Sequence, residues 1–206
     1  MSPLLLIGAG GHCRACIDVI ESTNNFEIAG IVGCSLEING HVMGYSVLGT
    51  DEVIPALLEK TPNAIITVGQ IQSAAIRIKL FTLLRRHGAH MPVIQSSLAY
   101  CSKYSVIGDG TILMHGSLVN ARSNVGENCI INSQALIEHD AEISDHCHIS
   151  TGARVNGGVR IGRGSFIGSG SVLKEGVTLG DGVIIGAGQM IMRDVAGGTT
   201  ISAKNV

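Results

Sequence analysis

The chain has 206 residues, 45% of them hydrophobic and 15% charged, enough apolar surface for one or two cores and too much for a disordered or fibrous protein. Its 14 basic and 16 acidic residues leave a formal charge of −2. That excludes a polycation able to neutralise nucleic-acid phosphates or grip an anionic membrane, so small molecules are the expected partners, with neither nucleic acid nor membrane among them.

Tryptophan is absent, aromatics make up 3% and there are 28 glycines. A core so poor in rings must be filled by aliphatics, which suits a narrow repetitive architecture better than a sandwich. Cys13, Cys16, Cys34, Cys101, Cys129 and Cys147 follow no disulfide spacing and read as reduced thiols of a cytoplasmic protein. Leu4–Ile7 is too short for a signal h-region and no 18-residue apolar stretch occurs, so neither export nor membrane spanning is expected.

In chain order, the apolar run Leu4–Ile7 predicts a strand, Gly8-Ala9-Gly10-Gly11 a turn, His12–Glu21 a helix and Ile28–Val32 a second strand. This is the β-turn-α-β order of a nucleotide-binding half-domain. A third strand is expected at Ala64–Val68 and a helix over Ala74–His87, before Pro92 and Ile94 lead into a different pattern. Residues 1–95 therefore read as a small Rossmann-like α/β domain.

At every sixth position from Ile107 to Ile191 stands Ile, Leu or Val, without a break. Four residues after each comes a mostly small residue, from Thr111 and Ser117 through Ala135, Ala141 and Cys147 to Val195. A period of six preserves strand alternation, whereas an amphipathic helix needs apolar positions three and four apart. The pattern predicts short strands and corners, three sides to a coil and five coils in all, over 96–206. The repeat does not itself set the hand of the coil.

Gly8–Gly11 between a strand and a helix can bring backbone N–H groups to a phosphate at a helix N-terminus. A dinucleotide fingerprint needs a third glycine where Cys13 stands and an acidic residue where Val32-Gly33-Cys34 stands, so NAD is not expected. A packing turn without ligand is the alternative. His12 closes the turn, either as a polar residue at the helix start or as a ligand contact. Cys13-x-x-Cys16 has no second pair at zinc-site spacing and does not predict a redox or metal centre.

His139, His146 and His148 fall within ten residues of the repeats, beside His115. Three readings stay open: a metal site completed across a subunit interface, a general base for acyl transfer, or solvated surface histidines. Asp140 next to His139 favours the base, because a carboxylate stabilises the imidazolium formed on proton transfer.

Gly8-Ala9-Gly10-Gly11-His12, the run Gly44-Tyr45-Ser46-Val47-Leu48-Gly49, and above all Ile131-Asn132 with Ile137-Glu138-His139-Asp140 and His148-Ile149-Ser150 resemble the NeuD/PglD-type hexapeptide-repeat sugar O- and N-acetyltransferases of bacterial surface-glycan synthesis. The resemblance covers nearly the whole chain. It implies a left-handed β-helix, a homotrimer with sites between neighbouring helices, and acetyl-CoA as co-substrate without a metal. It further implies that His139 is the general base and Asp140 its tuning acid. Asn132, with Gly8, Gly10, Gly11 and His12, would meet the acceptor, and His148, Gly157, Ser169 and Ala187 the cofactor.

The sequence departs from the family in two places. Gly33-Cys34-Ser35 stands where many members carry an aspartate pair that engages the acceptor's nucleotide, and Ile201-Ser202-Ala203-Lys204 stands where a Pro-Ala-Lys ending is usual. The expected reaction is direct N-acetylation of a nucleotide-linked 4-amino-4,6-dideoxy sugar. The alternatives are O-acetylation of a sialic acid-like sugar, a zinc carbonic anhydrase and a non-catalytic trimeric binding module.

Overall fold

A computed structural model describes residues 1–202; Ala203 and Lys204 of the C-terminal motif lie outside the described residues. The chain forms two compact units, one of Met1–Gly69 with Ala75–Ser97, the other of Gln70–Ala74 with the chain from Leu98 onward.

In the first unit β1 (Ser2–Ile7), α1 (Gly11–Glu21), β2 (Phe26–Val32), β3 (His41–Val42), β4 (Tyr45–Gly49), α2 (Ile54–Leu58), β5 (Ala64–Ile66) and α3 (Ala75–Arg86) follow one another. The sheet order is β3-β4-β2-β1-β5, parallel except for the β3–β4 hairpin. The strands nearest the centre are runs of buried aliphatics, as a sheet covered on both faces requires. Leu5, Ile7, Val32, Ile66, Leu80, Phe81 and Leu84 share one core.

β5 is shorter than the Ala64–Val68 run predicts because the backbone at Val68 leaves the sheet to pass under Gly8. Gly8 has φ +124, and a β-carbon there would lie 2.5 Å from Val68 Cγ2. The carbonyls of Ile66 and Val68 are taken by the buried guanidinium of Arg77 at 3.1 and 2.7 Å, which satisfies the end of the sheet from α3. The β3–β4 hairpin is not foreseen by the apolar pattern. Its turn needs two positive φ values, supplied by Met43 at 49° and Gly44 at 90°, and a methionine there is no turn signal.

The second unit is a three-sided parallel β-helix. Each strand is two residues long, the first facing out and the second in, and pairs with the strand one coil on: Leu118 with Leu136, Asn124 with Glu142, Ile130 with His148. Coils of 18 residues stack three sheets around a core of Val119, Ile131, Ile137, Ile149, Val155 and their equivalents. Face one presents Leu118, Leu136, Arg154 and Val172; face two Asn124, Glu142 and Arg160; face three Ile130, His148 and Phe166.

The small corner residues work as staples. The Thr111 hydroxyl donates to the Gly126 carbonyl at 2.8 Å and accepts the Cys129 N–H at 2.9 Å, and Ser165 and Ser171 repeat this on later coils. Corner backbone groups fall between the strand ladders, and a small polar side chain is what can reach them inside a narrow core.

The regular period extends one strand earlier than the sequence pattern suggests, to Cys101, and breaks at the end. Val195 pairs with Leu179 and Ile201 with Ile185, so the last coil is two residues short. Val195 therefore stands in the aliphatic register and not in the small corner register predicted for it. Asp194 bridges the shortened corner, accepting the Thr178 N–H at 2.8 Å. No helix of the described residues is long and apolar enough to cross a membrane.

Candidate active site

From Gly110 to Gly188 a residue with positive φ stands at every sixth position, and most are glycine. Five consecutive corners are not: Arg122, Asn128, Gln134, Asp140 and His146 hold φ between 53° and 62°. A side chain in this region costs about 1–2 kcal/mol relative to glycine, and strain of this kind concentrates at functional sites. The glycine-free corners mark the coils from 122 to 146, which contain or adjoin the histidine cluster.

The strand Leu136–Ile137 ends at one of these corners, on the edge between faces one and two. His139 is exposed there, and its Nδ1 lies 2.8 Å from Asp140 Oδ2. Arg122, one coil earlier, holds the other carboxylate oxygen at 3.1 Å from its Nε. The Asp140 carboxyl is held below the usual range, first by the hydrogen bond from His139, which outweighs an opposing desolvation, and then by the Arg122 charge. A carboxylate can only accept, so Nδ1 carries a proton, and in the neutral ring the lone pair lies on Nε2, the form a general base needs.

The corner is clamped from below. Asn120 Nδ2 donates to Glu138 Oε2 at 2.9 Å, and the Ser123 hydroxyl to the Glu138 carbonyl at 2.7 Å. From the next coil, the Gly158 N–H binds the His139 carbonyl at 3.0 Å. Gly157 lies against the imidazole itself: a β-carbon there would come within 2.8 Å of His139 Cε1 and 2.9 Å of Nε2. The residue expected on the cofactor stretch is thus also the seat of the histidine.

The corner between faces three and one carries the second group. Asn132 Nδ2 lies 3.1 Å from His148 Nε2, and Asn132 Oδ1 accepts the Ser133 N–H. Ser169 shares a hydrogen bond with Ser150 at 2.9 Å, and Ala187 follows Ser169 one coil on, with the Gly188 N–H on the Ser169 carbonyl. Ser169 and Ala187 are both exposed. Asn132 and His139 therefore stand on successive corners, at the two edges of face one.

His146 does not join this group. It is buried, with Nδ1 2.9 Å from the Asn128 amide nitrogen. Among the described residues no group of three or more His, Cys, Asp or Glu is placed to hold a metal ion within the chain.

In the first unit, Gly10 caps α1 in an extended conformation with no side-chain cap, and the first turn holds no acid. The N–H groups of that turn form a positive end. His12 lies within the turn, against Gly69. The glycines differ in what they do: Gly8 is demanded by the passage of Val68, whereas β-carbons at Gly10 and Gly11 would meet nothing within 4 Å. Those two border open space.

Arg122, Asn120 and Glu37 lie beside these groups, and the sequence pattern did not single them out. Arg122 and Asn120 become visible only with the 18-residue coil. Glu37 reaches back to the end of β2, its Oε2 accepting the Cys34 N–H at 2.8 Å and lying where a β-carbon on Gly33 would come within 2.8 Å of it. That same position is 3.2 Å from Ala9 Cβ, so a carboxylate stands at the mouth of the glycine turn although none follows β2 directly.

Residues 3–84 match the PglD N-terminal domain family, and residues 140–175 and 158–188 match the bacterial transferase hexapeptide repeat. No curated protein matches the sequence. Among solved structures, PerB from Caulobacter crescentus, in complex with CoA and GDP-perosamine, is 29% identical with a TM-score of 0.90 over 97% of this chain and 93% of that one. The acetyltransferase domain of PglB from Neisseria gonorrhoeae, in complex with acetyl coenzyme A, is 30% identical with a TM-score of 0.89 over 98% and 96%. WeeI from Acinetobacter baumannii, at 21% identity and a TM-score of 0.86 over 99% and 98%, shares the fold. The coil is the left-handed β-helix of the hexapeptide acetyltransferases.

Proposed function

We propose that this chain, which belongs to the NeuD/PglD-type hexapeptide-repeat sugar acetyltransferases, moves the acetyl group of acetyl-CoA onto the 4-amino group of a nucleotide-linked amino-dideoxy sugar, with His139 as general base. The observation that carries the reading is the His139–Asp140 pair at 2.8 Å with Arg122 behind it. As the amine attacks the thioester carbonyl, Nε2 takes its proton, backbone N–H groups steady the oxyanion, and on collapse the CoA thiolate leaves and takes that proton back from Nε2. Asp140 keeps the Nδ1 proton throughout and stabilises the imidazolium. No covalent acyl-enzyme is needed.

The acceptor's nucleotide is placed at Gly10, Gly11 and His12, where the open N-terminus of α1 suits a diphosphate. Glu37 replaces the aspartates absent after β2 by meeting N–H or O–H donors of the nucleoside. The relative that holds CoA together with GDP-perosamine supports an acceptor of this class. Acetyl-CoA runs along the corner of Ser169 and Ala187.

The assembly is a homotrimer closed through face one. Its outward column, Tyr100, Leu118, Leu136, Arg154, Val172 and Met190, is apolar but for Arg154 and partly exposed, whereas face two carries Asn124, Glu142, Arg160 and Thr178 beside Val106. Joining copies through face one brings the His139 edge of one chain to the Asn132 edge of another. We place the enzyme in the cytoplasm, in the synthesis of surface or protein-linked glycans.

Free thiol released from acetyl-CoA, measured over nucleotide-linked amino sugars and free sialic acids, tests the reading. Turnover on an amino sugar should fall by about 10²–10⁴ in His139→Ala. Full turnover in that variant removes His139 as base, and turnover on sialic acids alone makes the enzyme an O-acetyltransferase.

A further inference from the structure

Face three presents Ile112, Ile130, His148, Phe166 and Ile184 in one column. Ile112 and Ile130 are fully buried, Phe166 is 9% exposed and His148 only 6%. Apolar side chains serve this position on the two coils before it and the two after it, so folding does not call for an imidazole there, and a buried polar ring is retained only at the cost of satisfying it.

It is satisfied by groups of fixed role. His148 Nδ1 lies 2.5 Å from the carbonyl oxygen of Gln70, which can only accept, so Nδ1 carries a proton. On the other side stands the Asn132 amide, whose Oδ1 accepts the Ser133 N–H at 2.8 Å. The amide nitrogen must therefore face the ring, and Nε2 accepts its hydrogen at 3.1 Å. A second proton on the ring would point into the Asn132 NH₂.

Gln70 is itself tied to the same coil, its Nε2 donating to the His146 carbonyl at 3.0 Å. It belongs with Gln70–Ala74 to the β-helix unit. Phe166 meets the His148 ring edge-on at 5.2 Å and 69°.

We infer that His148 is a positioning residue. Held neutral with its proton on Nδ1, it fixes the Asn132 carboxamide so that one N–H is bound to the ring and the other is left for the substrate. The role of Asn132 in the site rests on the proposed acetyl transfer; the tautomer and the hydrogen bond do not. Freed from the ring, the amide would turn, and a misplacement of this kind costs about 10²-fold in rate.

His148→Phe keeps the volume and the apolar character of the column while removing the acceptor. In a cycle with Asn132→Ala, each single variant should lose about 10- to 100-fold in kcat/KM, and the double variant no more than Asn132→Ala alone. Losses that multiply, or full activity in His148→Phe, overturn the inference, the first because His148 would act on its own. Nitrogen-15 spectra of the wild type read the relay without any substrate. A protonated Nδ1 with an unprotonated Nε2, and an Asn132 NH₂ signal whose slow exchange is lost in His148→Phe, are expected. An imidazolium or a proton on Nε2 overturns the inference. If no acceptor is turned over by the wild type, the acetyl-transfer reading fails while these spectra still decide the relay.

Discussion

The imidazole of His139 rests on Gly157, one coil further on, so closely that a single added methyl group would fall 2.8 Å from Cε1 and 2.9 Å from Nε2. The neighbour that must yield is the end of an exposed side chain rather than backbone. Gly157→Ala should therefore fold with a thermal midpoint near wild type, yet turn the ring away from the attacking amine. A fall in kcat of about 10²-fold is expected. Unchanged kcat would separate Gly157 from the histidine.

Asp140 makes a pH prediction whose sign follows from its lowered pKa. Its folded value lies below the ordinary 3.8 because His139 donates to it and Arg122 stands beside it. Stability from this group is present above 3.8 and is lost as pH falls through the lowered value. The gap in thermal midpoint between wild type and Asp140→Asn should be open at pH 7 and close in strong acid. A gap that does not change with pH contradicts it. At pH 7 the same variant, which tolerates the left-handed corner, should lose kcat by about tenfold or more.

Three glycines of one turn should behave differently. Gly8→Ala meets Val68 and a φ of +124, and the backbone alone should cost about 1–3 kcal/mol, seen as a lower unfolding midpoint. Gly10→Ala and Gly11→Ala face open space and should keep the midpoint, but raise KM for the nucleotide sugar with little change in kcat. An unaltered KM in both would take the acceptor away from this turn.

The mostly apolar column of face one makes the assembly testable. Leu136→Lys places a second cation next to Arg154 and against Leu118 and their copies, and light scattering should report mass falling from three chains to one chain of 21.4 kDa. Because His139 and Asn132 lie on opposite edges of that face, activity should fall with it. A variant that remains trimeric assigns the interface to another surface.

Much of this was open to reading before any coordinates. Ile107 to Ile191 announced a β-helix because a chain that turns every six residues must send one side chain per side inward, and nothing but aliphatics survives there. Glycine at Gly8 to Gly11 and the adjacent His139-Asp140 pair were equally legible, since both depend on neighbours in sequence. The shortened last coil was not: Val195 fits either register by composition, and only its pairing with Leu179 shows which one it occupies.

What the sequence by itself determined, then, is whatever repeats or lies within a few residues: the coil, its corners, the β-α-β unit and the acid beside the histidine. Tertiary structure alone decided which side chains meet across coils and across the chain. Arg122 reaches Asp140 and Asn120 reaches Glu138 because each lies 18 residues before its partner. Glu37 comes back to β2 because a short turn folds it there. Gln70 sets the tautomer of His148 from 78 residues away. A hydrogen bond of that kind requires two atoms within about 3 Å, and only closure of the whole fold brings such distant residues that near.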